Sequence, residues 1–174
     1  AIWLELKNQA ILNGFSFDGL NGLIEEKLEN KLNDIKPYLL LNTNEIIIEL
    51  EKQKLHELIF QWLEIEKERA PFFVKQLESE KQLTLSDIKF NFRLDRVDET
   101  GSHRTEIIDY KTGNVNLNDW FSVRPTEAQM PAYMLTFEGE EISSINYARI
   151  KKGMVGQIGL KFPGQTETTT DKNI

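Results

Sequence analysis

Two carboxylates and a lysine lie close together in the segment RLDRVDETGSHRTEIIDYKTG, residues 93–113. Asp109 and Lys111 are two residues apart, so on a β-strand their side chains project from the same face while Tyr110 points away. Asp95 lies at the end of the preceding predicted strand. If the two strands pair across their turn, a small shift in register brings Asp95 beside Asp109, where two carboxylates resist both being charged. A divalent cation would remove that conflict.

These side chains are suited to hydrolysis of a phosphodiester bond. Carboxylate oxygens can hold a metal ion, the ion can activate water and neutralise developing charge, and the Lys111 ammonium can contact the attacking water or a phosphate oxygen. The chain has no cysteine and two histidines, His56 and His103. A site built from carboxylates favours Mg²⁺, Mn²⁺ or Ca²⁺ over Zn²⁺. The non-catalytic alternative is a surface hairpin in which the acids form ordinary ion pairs.

The helices that precede this segment follow from apolar side chains spaced three to four residues apart. Residues 1–12 already have this spacing without a capping residue, as in the middle of a helix. A second helix follows with Asp18 as its predicted N-cap, and a third runs from about Thr43 to Arg69, with Asn42 and Glu45 resembling a capping box. The N-terminal part is therefore predicted to be helical.

The period changes from helical to two after Pro71. The segments PFFVKQLE and LTL are short β-rich runs, and residues 88–111 predict a β-hairpin. A loop then leads to a helix that starts between Thr126 and Met130, and the last ordered part predicts two strands that turn at Lys152 and Gly153. The pattern predicts an α/β protein with a small sheet.

Length and composition favour one domain of 174 residues, with a helical part at 1–70, a sheet part at 71–163 and a flexible polar tail at 164–174. The net charge of −7 argues against a protein that coats nucleic acid by bulk electrostatics. No apolar run could span a bilayer and no export signal is recognisable, so we expect a soluble, cytoplasmic protein.

The run LDRVD, followed by IIDYKTG, Trp120 and QMPAY, resembles the PD-(D/E)XK nuclease superfamily in its branch of RecB-like and AddB-like DNA-repair nucleases. The resemblance implies a restriction-endonuclease-like core, a small mixed β-sheet flanked by helices. It implies that Asp95 and Asp109 bind the metal together with the main-chain carbonyl of Tyr110, and that Lys111 is the catalytic lysine. Gln129 and Tyr133 match the trailing glutamine and tyrosine of that branch.

The chain departs from this branch in two places. Relatives carry a further histidine ligand on an N-terminal helix, shortly before a Trp-containing stretch that Trp3 resembles. We therefore expect the chain to be a fragment that lacks the upstream histidine, and such a fragment can be inactive on its own. Phe92 stands where relatives often have glycine just before the arginine and first acid.

The resemblance implies a deoxyribonuclease that uses Mg²⁺ or Mn²⁺ in DNA repair or recombination, on single-stranded DNA or duplex ends, beside a helicase or helicase-like region of the same or a partner protein. Two alternatives stay open: a catalytically silent DNA-binding or scaffold domain, and acids that are purely structural. We expect four basic residues on or beside the predicted strands to bind DNA phosphates: Arg93, Arg149, Lys151 and Lys152. Three aromatic residues could stack on bases, although core or interface packing is the commoner use: Trp62, Trp120 and Phe121.

Overall fold

A computed structural model describes residues 1–38, 44–101, 103–121, 127–137 and 139–162. The chain divides into two compact units, Ala1–Arg69 and Ala70–Ile174. The first unit is helical and the second holds the sheet. This division into a helical part and a sheet part follows the predicted change of period at Pro71, because helix and strand bury side chains at different spacings.

The described residues of the first unit form four α-helices. They are α1 (Trp3–Leu6), α2 (Gln9–Gly14), α3 (Phe17–Ile35) and α4 (Glu45–Lys67), with a 3₁₀ turn at Lys36–Tyr38. The predicted continuous first helix is wrong: the chain breaks at Lys7, which has φ 50°, and Asn8 then caps α2 by accepting a hydrogen bond from Ile11 N at 2.8 Å. An asparagine that satisfies a free N–H starts a helix rather than continuing one.

The caps of the longer helices also differ from the prediction. Ser16 caps α3, its Oγ accepting from Gly19 N at 3.1 Å, while Asp18 lies in the first turn, where the helix dipole favours a carboxylate. Asn44 caps α4, its side chain accepting from Ile46 N at 2.9 Å, and Asn42 lies outside the described residues. The last turn of α4 ends at Lys67, close to the predicted end.

Helices α3 and α4 pack along their length. Phe17 and Phe60 meet edge to face with ring centroids 5.2 Å apart, and Lys52 bridges Glu25 and Glu29. The apolar positions that are fully buried in this unit are Leu6, Leu12, Leu20, Ile24, Trp62 and Leu63. In α4, Leu58 and Trp62 are buried, whereas Ile47 and Leu55 are exposed.

The second unit is built on a five-stranded mixed sheet in the order β1 (Phe72–Leu85), β2 (Ile88–Thr100), β3 (Thr105–Lys111), β4 (Ile142–Arg149) and β5 (Gly156–Lys161). Only β3 and β4 pair in parallel, and the other neighbours are antiparallel. A 3₁₀ turn at Leu117–Trp120 and the short helix α5 (Gln129–Met134) lie in the β3–β4 crossover. The fold is the predicted restriction-endonuclease-like α/β fold.

Most predicted sheet elements are confirmed. The hairpin β2–β3, the start of α5 and the β4–β5 turn with Gly153 at φ 74° are where the pattern places them. The two short β-runs after Pro71 are instead one long strand, β1, with a bulge between Val74 and Gln76. Pairing along the whole of β2 supplies hydrogen bonds that local propensity does not count. The predicted tail at 164–174 lies outside the described residues.

The β1–β2 pairing is irregular opposite Asp95. Glu78, between the pairs Leu77–Arg96 and Ser79–Leu94, has φ 47°, a left-handed conformation that costs a non-glycine residue about 1–2 kcal/mol. Leu94 and Val97, three positions apart, both lie in the hydrophobic core. The alternation of side chains between the two faces of β2 is therefore interrupted near Asp95.

Strand β5 contains a glycine that the packing requires. Gly159 pairs with Asn146, and an added Cβ would overlap the Ile145 carbonyl oxygen and the Asn146 side-chain oxygen. We expect Gly159→Ala to lower the free energy of unfolding by about 1–3 kcal/mol, because the backbone of β4 must shift. Urea denaturation measures this loss. Gly156→Ala on the same strand is the matched control, since its Cβ would meet Arg149 NH2 at an ordinary 3.8 Å; equal losses in the two variants would contradict the explanation.

Candidate functional site

The hairpin register brings the two predicted metal-binding acids together. Arg96 pairs with Ile108, so the next step of the same antiparallel register sets Asp95 opposite Asp109. Asp95 Oδ2 accepts a hydrogen bond from Tyr110 N at 2.9 Å, which holds its carboxylate against β3. The register that β2 and β3 adopt already places the two acids opposite each other, so no further shift between the strands is needed. The arrangement orients Asp95 before any ligand binds.

Asp109 is a buried carboxylate that lacks a full set of hydrogen bonds. The residue is 2% exposed, and its Oδ2 lies 2.8 Å from Lys111 Nζ. The two groups form an ion pair, and the described residues give Oδ2 no further partner. Leaving a buried charged oxygen without a donor costs free energy unless another cation compensates it. Asp109 Oδ2 is thus placed to accept a further positive group.

Burial and charge shift the pKa values of this pair. Burial raises the pKa of Asp109, the Lys111 ammonium opposes that rise, and the charges of Asp95 and Glu127 add to it, so the net direction is upward. Burial acts to lower the pKa of Lys111, but Asp109 and further negative groups outweigh it and the pKa of Lys111 is raised. The lysine is therefore charged at neutral pH, whereas the carboxylate carries its charge at a cost that a cation would relieve.

A chain of hydrogen bonds fixes the position of Lys111. Its Nζ donates to Gln129 Oε1 at 3.1 Å, Gln129 Nε2 contacts the Tyr133 hydroxyl, and that hydroxyl donates to the Arg93 carbonyl oxygen at 2.7 Å. Gln129 and Tyr133 are one turn apart on α5, so they share a face. The structure thus brings the five predicted catalytic residues, Asp95, Asp109, Lys111, Gln129 and Tyr133, into one connected group.

Sequence reasoning missed Tyr147, which belongs to the same surroundings. Tyr147 pairs with Asp109 across β3 and β4, its hydroxyl accepts from Trp120 Nε1 at 3.0 Å, and its ring centroid lies 5.5 Å from Lys111 Nζ. The sequence of β4 is typical of a buried core strand, so only the strand register shows that Tyr147 lies beside Asp109 and Lys111. A cavity of about 140 Å³ beside it is bordered by Lys111, Tyr147, Asn114, Asn116, Asp119 and Glu127.

The motif LDRVD contains a second acid that faces a different environment. Asp98 is fully buried and receives two hydrogen bonds from Arg96, at 2.7 Å from Nε and 2.6 Å from NH2. Arg96 also donates to the Tyr110 hydroxyl at 3.2 Å. Asp98 is thereby held in a buried ion pair, while Asp95 faces Asp109. The choice between these two acids depends on the register and not on the local sequence.

The predicted phosphate-binding residues are spread around this group. Arg93 is exposed and pairs with Glu78, and Arg149 pairs in register with Lys111 across β3 and β4. Lys151 Nζ donates to Asn114 Oδ1 at 2.6 Å, next to the cavity, whereas Lys152 is exposed in the β4–β5 turn. These basic residues therefore lie on β2, at the end of β4 and in the β4–β5 turn.

The remaining candidates are aromatic residues that could stack on bases and the two histidines. Trp62 and Trp120 are buried, and Phe121 is exposed. His103 is exposed in the β2–β3 turn, with Nδ1 2.8 Å from Glu99 Oε1, and His56 Nε2 lies 3.4 Å from the Asn21 carbonyl oxygen. The two tryptophans thus have the core role that the sequence favoured.

The donor set fits a hard divalent cation. In the described part of the chain, no three histidine, aspartate or glutamate side chains gather around one point. Two carboxylates, from Asp95 and Asp109, with the Tyr110 carbonyl would be the protein ligands. Mg²⁺ is commonly bound by one or two carboxylates with water and substrate phosphates completing its shell. The burial of the Asp109 carboxylate and the repulsion between the two acids agree with such an ion.

The site thus combines two facing carboxylates and a lysine on neighbouring strands of a mixed sheet. The sequence model of the PD-(D/E)XK nuclease superfamily matches residues 19–167, so the chain belongs to that superfamily. No curated protein sequence matches the chain. Across the described residues, every helix is too short or too polar to cross a lipid bilayer.

Proposed function

We propose that this chain is a deoxyribonuclease domain that uses Mg²⁺ or Mn²⁺ to hydrolyse phosphodiester bonds during DNA repair or recombination. We place it in the cytoplasm, beside a helicase or helicase-like region of the same or a partner protein. Membership of a superfamily of nucleases supports the class of reaction. The observation that carries the proposal is the buried Asp109 carboxylate, which faces Asp95 and contacts the Lys111 ammonium.

Each side chain has a distinct task in the proposed reaction. Asp95 and Asp109 hold the cation, and Tyr110 contributes its carbonyl oxygen and, through its N–H, keeps Asp95 oriented. When bound, a divalent cation supplies positive charge at the scissile phosphate and makes water more acidic. Lys111 orients the attacking water and stabilises charge on a phosphate oxygen as the phosphorus–oxygen bond breaks.

Residues around the acids position the substrate. Gln129 holds the Lys111 ammonium, and Tyr133 anchors Gln129 to the β2 backbone. Arg93, Arg149, Lys151 and Lys152 neutralise phosphates along the bound strand in this proposal. This local arrangement of cations is compatible with the net charge of −7, because the acids are concentrated elsewhere, with seven Glu against three Lys in residues 45–68.

A metal titration tests the proposal. The chain is titrated with Mn²⁺ by calorimetry, and cleavage of labelled single-stranded DNA is followed in Mg²⁺ and Mn²⁺. We expect binding of Mn²⁺ and metal-dependent cleavage in the wild type, and loss of both in Asp109→Asn. Asp34→Asn, which changes an exposed acid on α3, is the matched control and keeps both. Metal binding that is equal in the wild type and Asp109→Asn would overturn the assignment of the ligand.

The catalytically silent alternative predicts a different result from the same titration. In that case the wild type binds DNA but leaves it intact in either metal, even when the proposed helicase or helicase-like region is present. Cleavage by the wild type that Asp109→Asn abolishes excludes this alternative. Purely structural acids would give neither metal binding nor cleavage, together with a loss of stability in Asp109→Asn.

Removal of the Tyr133 hydroxyl is expected to lower kcat by a smaller factor than removal of a metal ligand. A purely structural role of Tyr133 would not change kcat selectively. We expect Tyr133→Phe to lower kcat about tenfold with little change in KM, because Gln129 loses its hydrogen-bond partner and no longer holds Lys111 in place. A factor of ten corresponds to about 1.4 kcal/mol, the size of one hydrogen bond. Steady-state cleavage kinetics measure the split. Tyr38→Phe, at a tyrosine that is 87% exposed, is the control. An unchanged kcat in Tyr133→Phe would remove Tyr133 from the positioning chain.

A further inference from the structure

The outer half of the β1–β2 hairpin carries a pair of aromatic rings. Strand β3 pairs with Arg96–Glu99 of β2, so the segment from Ile88 to Leu94 lies beyond that pairing and is joined to β1. Phe90 and Phe92 are two residues apart on this segment and lie on the same face. Their ring centroids are 6.3 Å apart and their planes are within 9° of parallel. Phe90 is 40% exposed, although burial of a phenylalanine is favourable.

This aromatic pair is continuous with the candidate site. The Phe92 ring meets the Tyr133 ring edge to face, with centroids 5.6 Å apart and planes at 80°. Tyr133 in turn bonds to the Arg93 carbonyl and to Gln129, which holds Lys111. A chain that lies on Phe90 and Phe92 would therefore be led towards the lysine and the two acids.

Cations accompany the rings. Lys81 pairs with Phe92 across β1 and β2, so it lies on the same face, and its Nζ is 4.6 Å from the centroid of the Phe137 ring. Arg93 follows Phe92 directly, so its side chain projects from the opposite face of β2, where it pairs with Glu78. Flat rings beside positive charges are the combination that binds single-stranded nucleic acid, because bases stack on the rings and phosphates meet the cations.

We propose that Phe90 and Phe92 form a stacking platform for unpaired DNA bases, with Lys81 contacting the backbone of the same strand. The inference rests on the proposed nuclease function and deepens it, since it names the substrate as DNA that is single-stranded next to the cut. Bases paired in a duplex keep their faces stacked on each other and cannot use the platform. The platform therefore selects splayed ends or single strands over blunt duplexes.

Binding measurements on the whole chain test the platform. The Lys111→Ala background prevents cutting, and fluorescence anisotropy gives Kd for a labelled oligothymidine and for a blunt duplex. We expect Phe90→Leu, which keeps an apolar side chain but removes the flat ring, to weaken oligothymidine binding about tenfold or more and duplex binding less than twofold. Phe90→Trp should retain or tighten the oligothymidine affinity.

Phe73→Ala is the control, because Phe73 is an even more exposed phenylalanine at the other end of the hairpin, 63% exposed and paired with Glu99. We expect its oligothymidine affinity to equal that of the unsubstituted background. Circular dichroism shows that each variant is folded. If Phe90→Leu were unfolded, the comparison of Phe90→Trp with the background still decides, since loss of binding in a folded Phe90→Trp would contradict stacking.

Three results would overturn the inference. These are an unchanged oligothymidine affinity in Phe90→Leu, an equal loss for oligothymidine and duplex, and a change in sedimentation mass that shows the rings pair two copies of the chain. If the wild type cuts DNA and Phe90→Leu binds normally, the platform alone is wrong. If the wild type neither binds nor cuts DNA in either metal, the proposed function fails and the platform fails with it.

Discussion

A Lys111→Ala variant is expected to cleave labelled single-stranded DNA about 10²–10³-fold more slowly than the wild type in Mn²⁺. The ammonium is charged, because its pKa is raised, and it is held 2.8 Å from Asp109 Oδ2 and 3.1 Å from Gln129 Oε1. Removing one preorganised group that stabilises transition-state charge costs this factor in other hydrolases. Single-turnover kinetics at saturating DNA measure the rate.

The controls for this prediction separate charge from position. Lys31→Ala, at an exposed lysine on α3, changes the net charge equally and should cleave at the wild-type rate. Lys111→Arg keeps the charge but has a planar head that cannot place it at the same point, so we expect partial activity. Cleavage by Lys111→Ala within twofold of the wild type would rule out a catalytic role for this lysine.

An Asp98→Asn variant is expected to lose about 3–5 kcal/mol of unfolding free energy, the largest effect on stability that the sheet offers. Arg96 and Asp98 are both fully buried, and Asp98 accepts two hydrogen bonds from the guanidinium. Removing one charge of a buried pair leaves the other in a low-dielectric environment, which is costly. The Arg96 guanidinium also lies 4.8 Å from the centroid of the Phe72 ring, so its displacement would disturb packing. Chemical denaturation followed by circular dichroism measures the loss.

The same hairpin supplies a matched control for this prediction. Glu78→Gln removes a carboxylate from an ion pair with Arg93 whose two side chains are largely exposed, and such pairs contribute about 0–1 kcal/mol. The double variant Arg96→Met with Asp98→Leu removes both charges and should be less destabilised than Asp98→Asn. A loss in Asp98→Asn no larger than that in Glu78→Gln would show that the buried pair does not stabilise the fold.

Regular spacing explains which parts of the fold were predictable. The change of period near Pro71, the β2–β3 hairpin and the short helix α5 all follow from patterns that local backbone geometry enforces. The spacing of Asp109 and Lys111 places both side chains on one face of β3, and the spacing of Gln129 and Tyr133 does the same on α5. These relations hold within single elements, so the sequence states them directly.

Competing local hydrogen bonds explain the main errors. Asn8 ends the apparent first helix and starts another, and Ser16 rather than Asp18 caps α3. Each side chain could have bonded to several nearby N–H groups, and only the packed chain selects one. The continuous strand β1 was divided in prediction because its polar middle resembles a loop, whereas pairing with β2 satisfies its backbone.

By itself the sequence determined the fold class, the family resemblance and the residue types available for a metal-dependent reaction. Tertiary structure alone decided that Asp95 faces Asp109 while Asp98 is held by Arg96, because this choice depends on the register between two strands. Packing of β4 and α5 against β3 also decided that Asp109 is buried and that Gln129 holds Lys111. Burial and strand register are properties of contacts between distant residues, and no local pattern encodes them.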